Sequence, residues 1–421
     1  MRLLYSLAWA LALPFLLLYL AWRAIRQPEY LRHWRERLGL GLRRGKRPCL
    51  LLHAVSVGET RAADPLVKSL MARHPDHDIL LTHTTPTGRA TGLELFGDRV
   101  TQAYLPYDFP PLVRRFLRRA RPSLCIVMET EIWPNLFAAC ARARIPTFLI
   151  NARLSERSAR GYRRIARLVR PALADLDGIA AQTTEDADRL RALGGERIRV
   201  TGNLKYDVTP PMTTVAQAED LRRRFAGKFV FLAASTREGE EAMLLDALDN
   251  FGAADVLLVL VPRHPQRFQE VARLIQERGL PWARRSEGQS AGRDIRVFLG
   301  DSMGEMAAYY AAADLAYVGG SLLPFGGQNL IEAAAAGCPA LIGPHTWNFT
   351  DAAEQASVAG CALRVADADA LVAAVKLLRQ APDKRAAMAA AGLRFTAANR
   401  GATERVMAMI EAAWPRGAGP D

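Results

Sequence analysis

From Leu3 to Trp22 the chain runs twenty residues without a charge. Wound as a helix, such a run is about 30 Å long, the thickness of a bilayer's hydrocarbon core. The pattern therefore predicts a membrane-spanning N-terminal anchor over residues 1–22, although Pro14 interrupts it and a buried or interfacial helix fits the same string. After a basic stretch, short leucine-rich or β-branched runs alternate with amphipathic helical patterns, the mark of parallel sheets with crossover helices. Strands are predicted at Leu50–Ala54, Ile79–Thr82, Val100–Leu105, Leu124–Met128, Thr147–Asn151, Gly178–Gln182 and Ile198–Thr201. The string DVTPPMTTVAQAED, Asp207 to Asp220, has paired prolines and no periodicity and reads as a linker. Alternation then restarts, with strands at Phe229–Ala233, Val256–Val261, Ile295–Leu299, Leu315–Val318 and Ala340–Ile342. The expected organisation is two α/β, Rossmann-like domains, 48–207 and 221–421, joined by 208–220. Ligand-ready loops at the carboxyl ends of their strands predict a site in a cleft between them. Helices from Asp369 onward fill out the second domain, and the last is able to cross back.

At 421 residues, half of them apolar, the chain holds more than one small core. Cys49, Cys125, Cys140, Cys338 and Cys361 are scattered without a CxxC pair, so free core thiols in a reducing compartment are expected rather than a disulfide framework. The formal charge of +13 invites a nucleic-acid reading, but ten basic residues against Glu29 and Glu36 lie within residues 2–47. Beside an apolar segment, anionic inner-membrane lipid is the nearer partner, and no nucleic-acid binding is expected. Residues 23–47 read as a basic membrane-surface segment whose charge marks the cytoplasmic side. Their density also argues against a cleaved signal peptide.

Candidate chemistry collects at the strand ends. The first strand leads into Ser56-Val57-Gly58-Glu59, placing Glu59 near a helix amino terminus. There the local dipole favours an ionised carboxylate able to take a proton from a hydroxyl. Ser56-x-x-Glu59 is equally a capping box. The fourth strand ends in Met128-Glu129-Thr130-Glu131-Ile132-Trp133-Pro134, a polar end in which Glu131 either serves a site or starts the next helix. In the second domain Ser235-Thr236-Arg237 sets a hydroxyl pair and an arginine at a helix entrance, where amide donors suit an anion. Arg263-His264 sits between prolines, and Asp301-Ser302-Met303-Gly304 closes another strand. Gly319-Gly320, then Gly326-Gly327-Gln328-Asn329 and Glu332, form a strand, glycine loop and helix suited to a phosphate and a ribose diol. The DxD strings at Asp175/Asp177, Asp186/Asp188 and Asp367/Asp369 fall at helix ends, and His74-Pro75-Asp76-His77-Asp78 reads as a polar turn, so no metal site is expected.

The order of these pieces resembles the glycosyltransferase B architecture. The strings HAVSVGET, METEIWPN, NARLSERS, TGNLKYD, PRHPQRF, DSMGE and GGQNLIEAAAAGCP resemble the 3-deoxy-D-manno-oct-2-ulosonic acid (Kdo) transferases of lipid A assembly over essentially the whole chain. The resemblance implies Glu59 as catalytic base with Glu131 also on the acceptor side. It implies that Ser235, Thr236, Arg237, Arg263 and His264 surround CMP. Met303, Gly304, Asn329 and Glu332 join them, with the Gly326-Gly327 backbone at the leaving phosphate. It further implies CMP-Kdo as donor, a lipid A precursor as acceptor, no cofactor and no metal. A UDP-sugar transferase or a UDP-sugar 2-epimerase of the same architecture is the alternative.

Overall fold

The structure is a computed structural model that describes residues 1–42, 45, 47–209, 212–251 and 255–414. The chain divides into two compact units, Met1–Val208 with Arg400–Asp421, and Thr209–Asn399. Unit 1 holds strands β1 (Cys49–His53), β2 (Asp78–His83), β3 (Thr101–Tyr104), β4 (Pro122–Met128), β5 (Thr147–Ala152), β6 (Gly178–Ala181) and β7 (Ile198–Val200). They lie in the order β3-β2-β1-β4-β5-β6-β7, every neighbouring pair parallel. Unit 2 holds β8 (Phe229–Thr236), β9 (Val256–Pro262), β10 (Trp282–Arg284), β11 (Val297–Leu299), β12 (Leu315–Val318), β13 (Ala340–Ile342) and β14 (Ala362–Arg364). Their order is β10-β11-β9-β8-β12-β13-β14, again all parallel. Helices cover both faces of each sheet, which is why central strands such as β1, β4 and β9 are largely apolar and buried at every position.

All twelve predicted strands are present to within three residues at either end. The two not predicted, β10 and β14, are three-residue edge strands, too short to carry an apolar run. All five cysteines are free and buried.

Three expectations about organisation change. The second domain does not extend to the C-terminus: helix Ala402–Ala413 returns to unit 1, where it packs against helix Val57–Arg73 and β6 and Ala402, Val406, Met407 and Ile410 join the apolar cluster of the first sheet. The linker is shorter than 208–220, because Thr214–Arg224 is helical and buries Leu221; Pro210 and Pro211 lie outside the described residues. The basic segment is not wholly a membrane surface either. Arg37 is buried, donating to the Thr84 carbonyl at 2.9 Å with its guanidinium 3.9 Å above the Tyr104 ring. Glu36 beside it accepts from Arg89 at 2.5 Å and from the Tyr104 backbone N–H at 2.9 Å, and Arg47 donates to the Pro75 carbonyl. Arg43, Arg44 and Lys46 lie outside the described residues.

The returning helix is capped from 194 residues upstream: the Asp207 carboxylate accepts the Gly401 N–H at 2.7 Å and the Thr403 N–H at 2.6 Å. A capping carboxylate satisfies helix-start donors that otherwise stay unpaired. Asp207→Ala is therefore expected to destabilise unit 1 by about 1–2 kcal/mol, read as a lower urea midpoint with faster amide exchange over Arg405–Ile410. Unchanged exchange in that helix would show that packing alone holds it.

Candidate active site

In a doubly wound sheet, ligands gather where the strand order reverses, at the carboxyl ends of the two strands flanking the reversal. In unit 1 those strands are β1 and β4. Glu59 follows β1 in the first turn of helix Val57–Arg73, and Glu129 and Glu131 follow β4. The capping box is real: Ser56 Oγ accepts the Glu59 N–H at 3.4 Å. The Glu59 carboxyl accepts the Val55 N–H at 2.8 Å and the Ser56 hydroxyl at 3.0 Å. The cap therefore holds the side chain in place and does not remove it from the site.

Glu59 is not the strongly ionised group expected from the helix dipole. Its pKa is pushed up from 4.5 to about 7, first by burial and then by the negative charge of Glu129, against the Val55 and Ser56 hydrogen bonds. Desolvation and a like charge outweigh the dipole and the cap. Glu131 is shifted upward by the same two causes, with the Trp133 indole pulling the other way. Glu129 takes a left-handed backbone, φ 57°, and pairs with Lys205 at 3.3 Å. A non-glycine residue held there beside a buried carboxylate marks strain kept at a functional edge. Below this cluster His53, fully buried at the end of β1, meets Trp133 edge to face at 5.6 Å. Burial and the neighbouring His83 press its pKa down to about 3, so it is neutral.

In unit 2 the order reverses between β8 and β12. Ser235, Thr236 and Arg237 end β8, Arg263 and His264 end β9, Met303 and Gly304 follow β11, and Gly326, Gly327, Asn329 and Glu332 follow β12. These four strands are adjacent, so all eleven predicted donor-side residues fall on one edge of one sheet. The Arg237 guanidinium stacks 4.5 Å from the Phe325 ring, tying the β8 end to the glycine loop. The His264 pKa is lowered by burial and by the nearby charges of Arg237 and Arg263, with Glu238, which pairs with Arg237 at 3.1 Å, acting the other way. Asn329 donates to Glu332 at 2.9 Å, orienting that carboxylate. Two glycines are dictated by space: a Cβ on Gly319 would lie 2.5 Å from the Ser235 carbonyl, and one on Gly326, φ 91°, would strike the Trp347 and Asn348 side chains. Ser235, like Glu129, is left-handed, with φ 56°.

Some details differ from expectation. Thr236 is fully buried, its hydroxyl donating to Glu241 at 2.7 Å and its carbonyl accepting the Arg263 N–H at 3.0 Å, so it supports the strand end and does not face a ligand. The Arg237 and Gly320 N–H groups are taken by the Glu240 carboxylate at 2.9 and 2.7 Å. The helix after the glycine loop, Ile331–Ala335, is five residues long, too short for a large macrodipole. The residues that hold this edge rigid were not singled out from sequence. Glu240 also accepts the Tyr317 hydroxyl at 2.5 Å, and Glu241 accepts Arg267 at 2.6 Å. Two acidic residues opening a helix read as solvent-facing dipole partners; a tyrosine within the apolar β12 was the one visible sign of a buried acceptor. Among the described residues no group of three or more His, Cys, Asp or Glu is placed to hold a metal ion.

Because the folded protein favours protonated Glu59, the sign of its pH effect is fixed. Its contribution to stability is intact below about 4.5, the unfolded value, and is lost as pH rises through about 7. Glu59→Gln, neutral at every pH, should match the parent near pH 4.5 and exceed it by on the order of 2–3 kcal/mol above pH 8 in urea unfolding. A difference that did not vary with pH would mean that the carboxyl is already ionised when buried.

A family profile described as 3-Deoxy-D-manno-octulosonic-acid transferase (kdotransferase) matches residues 32–208. The chain is 48% identical over 372 residues to a 3-deoxy-D-manno-octulosonic acid transferase of Bordetella pertussis, covering 86% of each. It is 36% identical over 409 residues to the enzyme of that name in Haemophilus influenzae, covering 94% of this chain and 95% of that one. Among solved structures, a UDP-GlcNAc 2-epimerase from Neisseria meningitidis bound to UDP-GlcNAc superposes with a TM-score of 0.60 over 86% of this chain and all of that one, at 14% identity, a likeness of fold alone. With relatives this similar along most of its length, the chain belongs to the 3-deoxy-D-manno-octulosonic acid transferase family.

Proposed function

We propose that the protein is an inverting glycosyltransferase that moves Kdo from CMP-Kdo to a lipid A precursor, lipid IVA, in lipopolysaccharide core biosynthesis. It works on the cytoplasmic face of the inner membrane, held there by its N-terminal helix. The observation that carries this reading is Glu59: a buried carboxylate at the sheet reversal of unit 1, held by its cap and with a proton affinity near neutral pH. A general base works best when its pKa lies close to the working pH.

In the proposed reaction the acceptor hydroxyl oxygen attacks the ketosidic carbon of Kdo from the face opposite CMP. Its proton passes to Glu59. The carbon–oxygen bond to the phosphate breaks and the electron pair leaves with CMP. Arg237, with Arg263 and the Gly326-Gly327 loop, meets the charge that grows on that phosphate. The Asn329–Glu332 pair is set to receive the ribose hydroxyls. One base and one stabilised leaving group suffice, so the scheme has no covalent enzyme intermediate and no step that calls for a metal.

Incubation with CMP-Kdo and tetraacylated lipid A precursor should give products heavier by whole Kdo residues in mass spectra, with CMP and not UDP competing. Competition by UDP would instead support a UDP-sugar transferase. Glu59→Gln should cut turnover by roughly 10² or more while leaving CMP affinity unchanged. The parent rate should rise with pH to a plateau above about 7. In Glu129→Gln, which removes the like charge beside the base, that rise should move to lower pH. Near-normal turnover in Glu59→Gln would return the base to Glu131, and a profile unmoved by Glu129→Gln would mean that neither carboxylate sets the rise, since Glu129 raises both. Arg237→Ala should lower kcat more than it raises KM, because the phosphate charge grows during cleavage, and EDTA should leave the rate unchanged.

A further inference from the structure

The N-terminal helix, Arg2–Arg26, is long and apolar enough to cross a membrane. Its burial nevertheless alternates along its whole length. Leu4, Leu7, Leu11, Phe15, Leu18 and Trp22, spaced by three or four residues, are exposed and form one stripe. The opposite stripe rests against unit 1, half-buried along most of its length and fully buried at Leu20 and Ala24. Ser6 Oγ donates to the Asn135 side chain at 3.3 Å, Trp9 stacks on Tyr107 at 5.7 Å, and Leu20 and Ala24 are buried in a cluster with Tyr30 and Tyr107. At its start, Arg2 and Leu3 line a surface cavity together with Arg167, Pro171 and Asp175.

A helix that spans a bilayer places its two ends about 30 Å apart on opposite faces. Here both ends rest on the same folded unit, and the first turn lies beside Arg167 and Asp175. Spanning would drag those charged side chains into hydrocarbon, where they are costly. We propose that this helix lies in the plane of a single leaflet, its Leu4-to-Trp22 stripe sunk among acyl chains and its other side docked on unit 1. This inference rests on the membrane association proposed above and replaces the spanning orientation expected from the sequence. An interfacial helix normally carries its own polar face. Here the domain surface takes that place, which is why the sequence reads as a transmembrane span.

The charge of unit 1 fits the same orientation. Between Phe109 and Ala174 there are fourteen arginines and no lysine, against Glu129, Glu131 and Glu156. Arg157, Arg160, Arg163, Arg164, Arg167 and Arg170, on helices Glu156–Arg164 and Ala166–Ala174, are all exposed. The second of these helices borders the start of the N-terminal helix through Arg167, Leu168 and Pro171. An arginine face beside an apolar stripe suits the anionic headgroups of the leaflet that receives the stripe.

The test uses the full chain with one protease-sensitive epitope ahead of Met1 and another after Asp421. In sealed inner-membrane vesicles of either orientation, both epitopes should be cut from the same side. An N-terminal epitope cut only from the side opposite the C-terminal one would overturn the in-plane placement. In a second arm, Arg160, Arg163, Arg164 and Arg167 are changed together to Gln. Partitioning onto phosphatidylglycerol vesicles in 0.1 M salt should fall about tenfold or more, with binding to phosphatidylcholine vesicles unchanged. Equal partitioning of parent and variant onto the anionic vesicles would overturn the role of the arginine face. Failure of the parent to bind any vesicle would overturn the membrane association and this inference with it. Transfer to detergent-dispersed acceptor is scored separately and reports on the enzymatic reading alone.

Discussion

Every strand in both sheets is parallel, so every connection must return across a face of the sheet before the next strand begins. That constraint puts every strand-to-helix loop on one edge of each sheet. The reversal in strand order then opens a gap where two of those loops diverge. In unit 1 the gap lies between the ends of β1 and β4 and receives three glutamates. In unit 2 it lies between β8 and β12 and receives an arginine, a glycine loop and an oriented carboxylate. The chemistry is thus distributed by topology before any side chain is specified.

The local balance at Glu59 shows why element-level rules do not settle protonation. A helix amino terminus and two hydrogen bonds each favour the ionised carboxylate. Burial and Glu129 oppose them and win. Removing a carboxylate from water is worth more than a partial charge at the end of a helix. Glu129 is in turn held in a left-handed conformation and paired with Lys205, so the charge that tunes Glu59 has a fixed position. On the other sheet, Glu240 and Glu241 are buried acceptors for a tyrosine, an arginine, a threonine and two backbone amides, and they hold the β8 end and the start of the glycine loop in register.

The strands were legible in the sequence because those buried on both faces are continuous apolar runs, and the site loops because each begins where such a run stops. β10 and β14 were not, since an edge strand of three residues leaves no periodicity to read. The direction in which a side chain points was also beyond pattern reading: Thr236 and Arg37 look available in the string, and the fold turns both inward. Tertiary partners far along the chain decide such cases. The Glu36 and Arg37 contacts reach Thr84, Arg89 and Tyr104, and Asp207 reaches Gly401 and Thr403. The N-terminal helix is the sharpest instance, because hydropathy records how apolar a segment is and not which of its sides is already covered.

The return of helix Ala402–Ala413 to unit 1 also bears on how the protein is made. Synthesis proceeds from the amino terminus, and domains usually fold as they emerge. Unit 2, however, is an insertion between two parts of unit 1, and the first sheet lacks Val406, Met407 and Ile410 until unit 2 has been made. Throughout the synthesis of about half the chain, the apolar surface of unit 1 beside helix Val57–Arg73 and β6 that these residues cover stays open to solvent or to a chaperone. Unit 2 has all its own strands available before unit 1 can close, so the later segment is set to finish folding first. A chain that stops just before residue 400 has one complete unit and one exposed apolar face.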